Sequence, residues 1–131
     1  MLKERSDTYT ILHHPESALL EVLWKGPVSS EAFKEGNLKM LEAMEHGRVA
    51  KIIIDMEKLG FSVSSEDHQW FKEYFVPRLL QSNLKAIAFI EPGVFNTLSI
   101  ADILFPYFPT HINFEIFDTF EAASNWIMNP S

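Results

Sequence analysis

AKIIIDMEKLGFSVSSEDHQWF, residues 50–71, decides the fold. Ile52, Ile53 and Ile54 form a β-branched run that ends in Asp55 without polar alternation, the pattern of a strand buried on both faces of a parallel sheet. A charged stretch comes next, and then Ser64-Ser65-Glu66-Asp67, where a serine hydroxyl can accept from the unpaired N–H groups of a helix start. Strand, connection and helix start make the unit in which α/β proteins place ligands, at the carboxyl edge of the sheet.

Toward the N-terminus, residues 1–8 read as a loose charged tail. Tyr9 to His13 alternates enough to be a strand, and His14-Pro15-Glu16-Ser17 is a turn. Ala18 to Trp24 is a second strand, stopped by Gly26-Pro27 and joined to the first as an antiparallel hairpin whose first strand lies at the sheet edge. Ser29 or Ser30 caps a helix in which Phe33, Asn37, Met40, Leu41 and Met44 recur at helical spacing. Gly36 is expected to weaken that helix by about 1 kcal/mol relative to alanine, and Gly47 to stop it.

Toward the C-terminus, Trp70, Phe71, Tyr74, Phe75 and Leu79 form the apolar stripe of a second helix, which Pro77 is expected to kink or break early. Leu84 to Ile90 is a further buried strand. A short helix is expected over 97–105, a last strand over Asn113 to Phe117, and a terminal helix to about Ile127 with Asp118 and Glu121 as its capping box. The order β-β-α-β-α-β-α-β-α predicts a single α/β domain: a mostly parallel sheet of about five strands, one antiparallel edge strand, and helices on its faces.

The chain has 131 residues, 47% of them hydrophobic and 22% charged, the balance of one compact domain. Its formal net charge of −7 disfavours nucleic acid and anionic membrane surfaces as partners. No cysteine is present, which excludes thiolate chemistry and thiolate metal sites. The polar start MLKERSDTYT has no apolar leader core, and no apolar run approaches the roughly 20 residues of a membrane span. A cytoplasmic protein without membrane insertion is the resulting expectation.

Asp55, Glu91 and Asp118 fall at or just past strand ends and would be the acids of a cation or acid–base site. Helix capping claims Asp118 and a turn claims Glu91, which leaves Asp55 as the only centre for an enzyme. His13, His14, His46, His68 and His111 contain no pair at helical ligand spacing; adjacent His13 and His14 point to opposite faces of a strand, so no metal is expected. There is no Gly-x-Ser-x-Gly elbow and no glycine-rich phosphate loop, and no cofactor is expected. The aromatics of the last third, Phe105, Tyr107 and Phe108 among them, exceed what its elements need for one buried face. Ordinary core packing is the first expectation for them; the alternative is a second hydrophobic surface, for a homodimer or for a small apolar ligand.

The segments LLEVLWKGPVSSEAF, KIIIDMEKLGFS, SEDHQWFKEYFVPRLL and LKAIAFIEP resemble the SpoIIAA-like group of STAS domains. The resemblance rests on Trp24-x-Gly26, Ile54-Asp55-Met56, Trp70, Pro77 and Ala88, and covers roughly Tyr9 to Ile127. It implies a non-enzymatic regulatory domain, similar to anti-sigma-factor antagonists, that binds a protein partner through the loop and helix start after the third strand. On this sequence the partner-binding residues would be Asp55, Glu57, Lys58 and Phe61, with Ser64 or Ser65 as phosphoacceptor. The usual Asp-Ser-Ser/Thr-Gly tag is replaced by Val63-Ser64-Ser65-Glu66-Asp67, whose acidic pair would repel a phosphate. A carrier of a small apolar ligand, by analogy with SEC14 folds, is the alternative expectation, and an enzyme centred on Asp55 the third.

Overall fold

The computed structural model describes residues 2–60, 64–91, 105–107 and 111–128. Six strands form one sheet: β1 (Leu2–Arg5), β2 (Tyr9–His14), β3 (Leu19–Pro27), β4 (Lys51–Gly60), β5 (Ala86–Ile90) and β6 (Asn113–Phe117). They lie side by side in the order they occur in the chain. β1–β2 and β2–β3 are antiparallel, and every pairing from β3 to β6 is parallel. The expected α/β class, with a mostly parallel sheet and an antiparallel end, is the observed one.

Three expectations in the N-terminal part of the chain are corrected. Residues 2–5 are not a loose tail but a strand, paired from Leu2↔His13 to Arg5↔Thr10. The strand Tyr9–His14 is therefore not at the edge; β1 is. The turn before β3 is a 3-10 segment, Pro15–Ser17, and β3 runs through Gly26, at φ +73°, to Pro27 rather than stopping at Trp24.

Strand alternation sorts the core into two layers. Ile52, Ile54 and Met56 join Ile11, Leu20, Val22, Ile87 and Phe89 on one face. That layer is covered by α1 (Ser30–His46) and by the helical run after β4. Ile53 joins Leu19, Ala88 and Ile90 on the other face, under Ala123 and Ile127 of the terminal helix. That helix is α4 (Phe120–Met128). The unbroken isoleucine run thus feeds both layers, as a two-sided strand must.

In α1 the five residues expected at its core, Phe33, Asn37, Met40, Leu41 and Met44, are all buried. Asn37 satisfies its buried amide by donating to the Phe33 carbonyl at 2.8 Å. Ser29 is the cap, its hydroxyl accepting from the Ala32 amide at 3.1 Å. Gly36 is more than a weak helix residue: a Cβ there would overlap the Trp24 indole, so the glycine lets β3 and α1 approach.

The second helical run is α2 (Ser65–Trp70), a π-helical turn Phe71–Phe75, and α3 (Val76–Leu80). Pro77 does not end it. The Val76 amide donates to Phe71 O, five residues back, so the turn before the proline is widened where a regular turn would meet the proline ring. Phe71, Phe75 and Leu79 are buried, whereas Tyr74 is 44% exposed and carries the Arg78 guanidinium 5.3 Å from its ring centroid. Arg78 also pairs with Glu45 of α1. The helix expected over 97–105 lies mostly outside the described residues, of which the 3-10 turn Phe105–Tyr107 is the nearest part.

The α4 cap is also corrected. Thr119, not Asp118, accepts the Ala122 amide at 3.1 Å, placing the cap one residue later than expected.

Candidate functional site

The sheet register sets Asp55 level with Leu23 on β3 and Ile90 on β5. Just beyond it, β3 advances two residues, from Leu23 to Lys25, while β4 advances three, from Asp55 to Lys58. This bulge gives β4 one extra residue and re-aims the end of the strand, a device common beside functional sites. Glu57 and Lys58 were expected in an exposed loop; their backbone belongs to β4 instead, which continues to pair with β3 as far as Pro27↔Gly60. Phe61 lies outside the described residues.

The helix start after β4 is built around a buried acid. Asp67 is 1% exposed. Its Oδ2 accepts from the Ser64 amide at 3.2 Å and the Ser64 hydroxyl at 2.8 Å, while the Ser64 Oγ accepts the Asp67 amide at 3.1 Å. Ser64 is therefore the cap and Asp67 its reciprocal partner, a capping box closed with aspartate. The same Oδ2 takes a third bond, from the hydroxyl of Ser30 at 3.1 Å. Ser30 opens α1, so one carboxylate oxygen ties the starts of two helices together. Oδ1 is buried with no hydrogen-bond partner among the described residues. Sequence reasoning placed Asp67 in the first helical turn and missed this cross-link, whose second half lies 37 positions away.

Around this latch the carboxyl edge presents exposed polar groups: Lys25, Ser29, Glu31, Ser64, Ser65 and Glu66. Asp55 is not among them. Ile54 and Met56 face the α1 layer, so strand alternation places half-buried Asp55 on the opposite face of the sheet from Ser64 and Ser65.

Glu91 and Asp118 each lie one residue past the positions aligned with Asp55, since Asp55↔Ile90 and Ile90↔Phe117 are paired. The three acids share an edge, yet no group of three His, Asp or Glu residues that could hold a metal occurs among the described residues. Tyr107 packs on the main core, 6.4 Å from Phe71 between ring centroids. Phe105 lies in the same 3-10 turn, and Phe108 is outside the described residues.

A cleft of about 450 Å³ opens at the other end of the sheet. Its lining comes from the starts of β4, β5 and β6 and the end of α4, and includes Lys51, Lys85, Phe114, Glu115 and Trp126. No helix among the described residues is long and apolar enough to cross a membrane. No protein-family profile matches the chain, and no curated protein matches it.

Proposed function

We propose that the chain is a non-enzymatic interaction domain of the STAS, SpoIIAA-like kind, which takes a protein partner on the surface formed by the end of β4 and the starts of α1 and α2. The observation that carries this reading is the Asp67 latch. Holding Ser30 and Ser64 on one buried oxygen fixes the exposed edge from Ser29 to Glu31 and from Ser64 to Glu66 as a single preformed patch. A preformed patch binds without the ordering cost a mobile loop would carry. The bulged end of β4, with Glu57 and Lys58, borders it.

Of the two candidate phosphoacceptors, Ser65 suits the role better. The Ser64 hydroxyl is engaged by the Asp67 carboxylate at 2.8 Å, so a phosphate there would break the cap and set two anions together. Ser65 is exposed at the first helical position.

A photo-crosslinking residue at position 65, compared with one at exposed position 42 on the flank of α1, tests the proposal in cells. Partners captured at 65, absent at 42, and lost on Glu66→Lys with the fold intact are the expected result. Identical capture at both positions would sink it.

A further inference from the structure

We propose that the cleft at the amino edge of β4–β6 is a binding site for a small organic carboxylate with an aromatic or aliphatic body. It stands apart from the partner surface, at the opposite end of the strands, and does not depend on it.

The backbone first sets two cations on the lining of one cleft. The Ala50 carbonyl accepts from the Lys85 amide at 2.8 Å and the Ala86 amide at 3.3 Å, and the Lys85 carbonyl accepts from the Asn113 amide at 2.8 Å. These bonds strap the starts of three strands side by side. Lys51 is in register with Ala86, the first residue of β5, and Lys85 immediately precedes it.

Both lysines line the cleft, and neither side chain has an ion-pair or hydrogen-bond partner among the described residues. Two lysines against the single acid Glu115 make the lining net positive, in a chain whose formal charge is −7. The local sign is thus the reverse of the molecule's, and it favours an anion.

The rest of the lining selects the body of that anion. Ala50, Ala86, Phe114, Trp126 and Ile127 are apolar, and Trp126 is held by Phe117, 5.6 Å between ring centroids. A ring or short chain resting on Trp126 and Ile127 with its carboxylate toward Lys51 and Lys85 satisfies both parts. The volume falls in the range of small-ligand sites.

The test titrates the isotopically labelled full chain with 1-naphthoate, using 1-naphthylmethanol as the uncharged control, and reads backbone amide shifts. Naphthoate should move the amides of Lys51, Ala86, Glu115 and Ile127 and bind more tightly than the alcohol. The double variant Lys51→Gln/Lys85→Gln should lose about tenfold in affinity for naphthoate and less than about twofold for the alcohol, the scale of two partly exposed charge contacts. Glu115→Gln should tighten naphthoate binding. Equal affinity for acid and alcohol, shifts elsewhere on the chain, or an unchanged affinity in the double variant would overturn the proposal. Should the double variant fail to fold, the acid-to-alcohol ratio of the native chain and the Glu115→Gln variant decide it.

Discussion

The Trp24 indole on β3 occupies the space that a side chain at position 36 of α1 would need. Trp24 is 5% exposed and lies between Tyr9, 5.9 Å away, and Phe33, 6.0 Å away, measured between ring centroids. The ring is boxed in on three sides, so it has no room to retreat from a new methyl group.

Gly36→Ala should therefore destabilise the protein by about 2 kcal/mol, even though alanine is intrinsically better in a helix by about 1 kcal/mol. Urea unfolding measures the difference. Most of the loss should disappear when Trp24 is also changed to leucine; equal losses in both backgrounds would mean that the contact is not the cause.

Asp67→Ala removes the acceptor of three hydrogen bonds from a buried site and should cost about 2–3 kcal/mol. Ser30→Ala removes only the cross-link and should cost about 1 kcal/mol. Hydrogen exchange should show faster opening of the first turns of both α1 and α2 in Ser30→Ala. Faster exchange in one helix alone would show that the two starts are not coupled.

The corrected cap of α4 has a direct check. Thr119→Ala should cost about 1 kcal/mol, and Asp118→Ala no more than about 0.5 kcal/mol. Thermal unfolding of the two variants ranks them, and the reverse order would restore Asp118 as the cap.

Pro77→Ala is expected to change stability by less than about 1 kcal/mol, against about 3 kcal/mol for proline within a regular helix. The widened Phe71–Phe75 turn already accommodates the ring, so removing it relieves little. A gain near the larger figure in urea unfolding would show that the π turn does not absorb the proline.

Periodicity made much of this fold legible. Phe33, Asn37, Met40, Leu41 and Met44 lie on one helical face because burial selects that spacing, and Ile52–Ile54 announced a two-sided strand because no polar residue interrupts it. What escaped was tertiary. Leu2–Arg5 has no strand pattern of its own and is ordered by pairing with β2. The stretch from Glu57 to Gly60 looks like a loop, having two charges and a glycine, but β3 extends far enough to pair with it. The serine–acid tag after β4 was visible, yet its link to Ser30 depends on how α1 docks. The lysines of the cleft are 34 residues apart in sequence and come to one cleft only through strand pairing.

The strand order carries a consequence for how the chain is made. Each strand docks beside the one synthesised just before it, so the sheet can grow by accretion as the chain leaves the ribosome, without opening a gap for a latecomer. The face bearing Leu19, Ile53, Ala88 and Ile90 is covered by α4, the last described element. Among the described elements α4 alone covers that face, so its cover is made later than that of the α1 layer. An apolar face left open while the rest of the sheet is already assembled is where a partly folded chain is most prone to associate.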